Sequence, residues 1–195
     1  MRLFIAVIIL ISNLQSLTKA DDIRDFEIEG MSIGDSLLDF INYDKIKSLK
    51  TSYTSGSKKY IRYYAVKEVN TYESIDVYVL DNDNKFIIKS LTGTDEYVNN
   101  IEDCYPKKKK IVKSIESQLN IKGKSYISNY DNNTSSSEVT DFILTNGSIR
   151  IWCTDYSKKK EERGYADHLS VTASENQFLH WLDNEAYKWN HARPS

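Results

Sequence analysis

Beyond its first eleven residues the chain has no apolar run approaching the roughly 20 residues that a helix needs to cross a bilayer. Among 195 residues it holds only two cysteines, two prolines and three histidines. The cysteines are not spaced as C-x-x-C, and neither has a histidine beside it, which leaves a redox dithiol and a thiol nucleophile without support. His168, His180 and His191 have no metal-ligand spacing with one another or with the cysteines, which argues against zinc. No Ser-centred nucleophile elbow, phosphate-cradling glycine loop or HExxH pair is present. The acidic stretch Asp81 to Asn84 has Phe86 where an EF-hand loop needs glycine and Thr92 where it needs glutamate, so it reads as a turn. No catalytic residue, metal or cofactor is expected from these patterns.

Charge is nearly balanced, with 26 basic and 28 acidic residues. The first twenty residues contain two of the bases and no acid, so without them the balance moves from −2 to −4. A mildly acidic domain is a poor general partner for nucleic acid. Lys107 to Lys110 and Lys158 to Lys160 read as solvated faces, with contact to anionic lipid or polysaccharide as the alternative. Fourteen tyrosines and an abundance of Ile, Lys and Asn fit the coding bias of an AT-rich genome and point to no site.

Met1-Arg2 supplies a positive charge, Leu3 to Ile11 is apolar, and Thr18 and Ala20 place small residues at −3 and −1 of a cleavage point. That order is expected of a secretory signal over residues 1–20, with a mature chain from Asp21 that is periplasmic or secreted and has no stable membrane span. An uncleaved anchor is the alternative. The remaining residues suit one domain, since no break in composition calls for a second and a chain of this size buries roughly 70% of its unfolded surface.

Ser32 is expected to cap a short helix by accepting from the Asp35 amide, with Ile33, Leu37, Phe40 and Ile41 on its buried face. Asp44 to Leu49 reads as a further helical turn, and Thr51 to Lys59 as a loop. Strands follow at Tyr60 to Val69, around Ile75, Val77 and Val79, and at Phe86 to Leu91, which makes a three-stranded meander. Asn100 to Leu119 reads as a helix with Asp103 as cap. After a loop from Asp131 to Ser137, Val139 to Leu144 and Ser148 to Thr154 flank Asn146-Gly147, a dipeptide that favours a type I′ hairpin. Leu169, Val171 and Ala173 mark one more strand, and a Ser174 to Gln177 capping box opens the last helix, with Phe178, Leu182 and Trp189 on its packed face. The expectation is an α+β domain of antiparallel meander strands with helices packed on one face.

Cys104 falls on the stripe of Ile111 and Ile115, and Cys153 shares the phase of Ile149 and Ile151, so both sulfurs face the core and a Cys104–Cys153 disulfide is expected. Two unpaired buried thiols are the alternative. The same phase turns Arg150, Trp152 and Thr154 the other way, as it turns His168, Ser170 and Thr172 away from Leu169 and Val171. If these strands are neighbours, Arg150, Trp152 and His168 share an outer sheet face able to bind a ligand. Cover of Trp152 by the last helix or a loop is the alternative.

The blocks Ala20 to Leu38 (ADDIRDFEIEGMSIGDSLL), Asn100 to Tyr105 (NIEDCY) and Ile151 to Ser157 (IWCTDYS), with Asp167-His168-Leu169, resemble a family of small exported proteins from AT-rich marine alphaproteobacteria. The resemblance implies export to the periplasm and no particular activity. Gly30-Met31-Ser32 followed by helices and three strands is also loosely similar to the outer-membrane assembly lipoprotein domain related to β-lactamase inhibitory protein, a likeness of fold. Together these readings point to a non-enzymatic periplasmic binding or envelope-associated interaction protein, with an envelope protein or a small ligand as partner. The alternative is a hydrolase whose carboxylates are brought together only by the fold.

Overall fold

The computed structural model describes residues 22–54, 57–64, 66, 71–98, 100–130 and 132–186. The signal-peptide expectation over residues 1–20 lies outside them, as do Ala65, Val69 and Trp189. The strands are β1 Glu27–Ile28, β2 Met31–Ser32, β3 Thr51–Tyr53, β4 Tyr60–Tyr63, β5 Ser74–Leu80, β6 Ile88–Glu96, β7 Lys124–Tyr130, β8 Ser135–Ile143, β9 Gly147–Asp155 and β10 His168–Glu175. The helices are α1 Tyr43–Ser48, α2 Cys104–Leu119, α3 Lys158–Glu161 and α4 Asn176–Trp181, and a π-helical turn, Leu182–Ala186, continues α4.

Eight strands form one antiparallel sheet in the order β3-β4-β5-β6-β10-β9-β8-β7. Two four-stranded meanders, one on each side of α2 in sequence, therefore meet at β6 and β10. Their registers align the residues into rows. One row runs Ile75, Gly93, Val171, Ile151 and the next Val77, Leu91, Ala173, Ile149, Phe142. These rows lie on the core face, where α2 contributes Cys104, Ile115 and Leu119 and the N-terminal segment contributes Ile23, Ile28, Met31 and Leu37. Cys104 at the start of α2 is bonded to Cys153 of β9, with 6.1 Å between their Cα atoms. Helix and sheet are thus stapled where they pack, as the phase of both cysteines implies.

Several local expectations are corrected. The helix expected from Ile33 shrinks to a 3₁₀ turn, Leu37–Asp39, capped by Ser36. Gly34 sits at φ +96, outside helical space, and Leu37 N–H donates to the Phe86 carbonyl, so the segment bonds across to the start of β6. The Ser32 cap is reversed, because the Ser32 amide donates to Asp35 Oδ2 at 2.8 Å. Asp103 precedes α2 without a side-chain capping bond. Thr51 to Tyr53, read as loop, pairs with β4 as an edge strand.

The β8–β9 hairpin forms, but its two-residue loop is Thr145-Asn146 and neither has a positive φ, so it is not type I′. Gly147 is required for a different reason: a Cβ there would lie 2.2 Å from the Ser174 carbonyl oxygen and 3.0 Å from Ile23. The Ser174 capping box does not form. Strand β10 runs on through Glu175, which precedes α4 without a side-chain capping bond, and Ser174 Oγ lies 2.8 Å from Ser90 Oγ. Of the first lysine cluster, Lys107 pairs with Asp95 at 2.6 Å and Lys108 with Glu138 at 2.8 Å, so half of that run is tied into the fold.

Candidate functional site

The sheet face opposite α2 is built from the alternate residues of the same strands. Its rows read Asp76, Thr92, Thr172, Arg150, Asp141, then Tyr78, Ser90, Ser174, Ser148, then Ser74, Thr94, Ser170, Trp152, Val139. Hydroxyls occupy the centre of all three. Across β6 and β10 they pair off, Ser90 with Ser174 and Thr92 with Thr172 each at 2.8 Å, and Thr94 with Ser170 at 3.3 Å. Cross-strand hydroxyl pairs hold the two meanders together on this side, as apolar contacts do on the other.

This floor lies at the bottom of a cleft of about 620 Å³. Helix α4 folds back across one end of it, where Phe178, Leu179 and Leu182 line the wall. Behind that wall Trp181 is fully buried against Tyr60, their ring centroids 4.7 Å apart, and its Nε1 donates to Ser57 Oγ at 3.1 Å. Burial, followed by the charges of Glu175 and Glu185, pushes the Tyr60 phenol up to about 12. At the other end stands an aromatic group in which the Tyr156 ring lies 5.3 Å from Tyr165 and 5.7 Å from His168.

The structure places Arg150, Trp152 and His168 together in the lining of this cleft, on adjoining strands β9 and β10. Arg150 is held by Asp141, Nε to Oδ1 at 2.8 Å and Nη2 to Oδ2 at 3.0 Å, and that bonding raises its pKa against the effect of burial. His168 Nδ1 lies 3.0 Å from the Ala166 carbonyl oxygen. Trp152 is half-buried, and its indole makes no hydrogen bond and no ring contact among the described residues.

Sequence reasoning misses Arg62 and Asp76, which meet at 2.5 Å on the β4–β5 side, with the guanidinium 4.4 Å from the centre of the Tyr64 ring. Burial works against the Arg62 charge, and the Asp76 carboxylate more than offsets it, so its pKa is raised. Nothing in the sequence places β4 beside β5 in that register. The hydroxyl floor does have a signal: Ser90, Thr92, Thr94 and Ser170, Thr172, Ser174 each recur with period two.

Asp76 and Glu96 are the two acids of the cleft lining. Asp76 is opposite Thr92, four residues from Glu96 along β6, which puts their Cα atoms about 14 Å apart at the usual strand rise and spacing. Asp76 is already engaged by Arg62. Among the described residues no group of three or more His, Cys, Asp or Glu is arranged to hold a metal, and no helix is long and apolar enough to cross a membrane. Comparison of the chain with protein-family models, with curated proteins and with solved structures finds no match, so any reading of this cleft rests on its own geometry.

Proposed function

We propose that the chain is an exported, non-enzymatic binding protein that holds a small molecule in the cleft over its hydroxyl-lined sheet face. The observation that carries this is the contrast between the two faces of one sheet. The core face is closed by apolar packing, whereas the other is paved with Ser and Thr, walled by α4 and Tyr156, and, among the described residues, uncovered above its centre. A few placed polar groups between apolar walls, in a space within the range of about 300 to 1,000 Å³, are the ordinary make-up of a ligand site. The disulfide supports an oxidising compartment, in line with the export implied by the N-terminal pattern and by the family resemblance.

The test is a two-dimensional NMR screen of labelled protein with a library spanning sugars, amines, carboxylates and lipids. Binding in the cleft shifts the Trp152 indole, His168 and Thr172 together. A library that shifts none of them, or shifts only residues on the α2 side, overturns the proposal.

A further inference from the structure

We infer that the ligand is a neutral, polyhydroxylated molecule, a short saccharide, seated on the Thr92–Thr172 floor against the Trp152 ring. The inference rests on the binding reading above and adds the ligand class. Charge matching comes first. Both guanidiniums of the cleft are ion-paired, Arg62 with Asp76 and Arg150 with Asp141, so neither charge is left without the counter-charge that an anionic ligand would supply. The acid left over is Glu96, whose carboxylate has no ion-pair partner among the described residues, and it disfavours an anion further.

Hydrogen-bonding capacity comes second. A hydroxyl carries one proton and two acceptor sites, so each side-by-side pair uses one proton internally and retains one donor and spare acceptors. Thr92, Thr94 and Thr172 are only half-buried, and their remaining capacity faces the cleft. A surface that both donates and accepts at each position complements another set of hydroxyls better than it complements a carboxylate, an ammonium or an alkyl chain. Ring faces come third. The half-buried Trp152 indole, with no aromatic neighbour and no bonded Nε1 among the described residues, supplies a flat apolar surface for the C–H face of a pyranose and a donor at its edge.

The probes are maltotriose, cellotriose, chitotriose and mannotriose, set against trigalacturonate, dodecanoate and choline, with binding followed by indole fluorescence and by NMR shifts of cleft residues. At least one neutral trisaccharide is expected to bind with the Trp152 and Thr172 signals shifting. Trp152→Ala is expected to weaken it by about tenfold or more. The double variant Thr92→Val with Thr172→Val keeps shape, removes both hydroxyls and leaves neither partner unsatisfied; it is expected to weaken binding roughly tenfold with the urea midpoint little changed. Cleft binding of trigalacturonate, dodecanoate or choline without any neutral saccharide overturns the ligand class and leaves the cleft reading standing. Silence of the cleft signals towards all seven probes overturns the saccharide inference; the broader library decides separately whether the cleft binds anything.

Discussion

Lys108 on α2 is 97% buried, and its ammonium lies 2.8 Å from Glu138 of β8, a carboxylate whose side chain remains 50% exposed. The two partners are unequal. Glu138 can return to water when the lysine is removed, whereas Lys108 is left enclosed when the glutamate is removed. Glu138→Ala is therefore expected to cost about 1 to 3 kcal/mol, the range for an unsatisfied enclosed group, and Lys108→Met, which fills the same channel without charge, less than about 1 kcal/mol. Urea midpoints of the two variants check the order. Equal losses, or a larger loss for Lys108→Met, would show that the ammonium reaches solvent.

The Cys104–Cys153 bond closes a loop with a sequence separation of 49 residues. On the chain-entropy model such a loop is worth about 4 kcal/mol, an upper figure where the reduced chain retains structure. The double variant Cys104→Ala with Cys153→Ala is expected to lose roughly 2 to 4 kcal/mol and, for a domain of this size, about 5 to 15 °C in melting temperature. Peptide mapping without reductant checks the pairing itself, and alkylation of either thiol in oxidised native protein contradicts it.

What could be read in advance follows how far apolar residues mark a face. In β9 and β10 the alternation of Ile149, Ile151, Cys153 and of Leu169, Val171, Ala173 fixes phase, and with it both the disulfide and the orientation of Arg150 and Trp152. In β7 it fails, because Lys124 to Tyr130 is an edge strand with nearly every residue exposed, so no face carries a pattern. The far end of β6 fails for a different reason: Gly93 and Asp95 stand on the core face, where apolar residues would have announced a strand. Asp95 is accommodated there because Lys107 reaches one of its oxygens at 2.6 Å and the Glu73 amide donates to the other at 3.1 Å. The cleft is half legible by the same logic. The period-two hydroxyls are local and visible, whereas the Arg62–Asp76 pair needs a strand register that only the assembled sheet supplies.

Trp152 and Trp181 belong to opposite environments and separate the cleft from its wall. Trp181 has no exposed surface, touches Tyr60 and Phe178, and donates to Ser57, so Trp181→Ala is expected to cost about 3 to 5 kcal/mol. Trp152 is half-buried beside open space, and Trp152→Ala is expected to cost roughly 1 to 2 kcal/mol, in proportion to the area it covers. Acrylamide quenching of single-tryptophan variants gives a second readout, with Trp152 quenched readily and Trp181 protected. Matching stability losses would mean that Trp152 is core and that the cleft is closed over it.

The tyrosines set the alkaline limit of the fold. Burial, then the nearby Glu175 and Glu185, pushes Tyr60 up to about 12, and burial with the charges of Asp95 and Glu29 does the same for Tyr72. An ordinary tyrosine ionises at about 10, so the unfolded chain gives up these protons first. An acid whose folded pKa lies above its unfolded value stabilises the fold fully below the unfolded value, and that contribution drains away as the pH rises from about 10 to about 12. The fold is therefore expected to weaken steadily across that window. Neither Tyr60 nor Tyr72 makes a side-chain hydrogen bond among the described residues, so Phe preserves the packing while removing the proton. Tyr60→Phe and Tyr72→Phe should each flatten the fall in urea midpoint between those pH values. Phenolate absorbance gives the direct check: several tyrosines of the native protein are raised by burial, Tyr60 and Tyr72 should ionise last among them, and a single step near the ordinary value with the fold intact would show that neither ring is held from water as described.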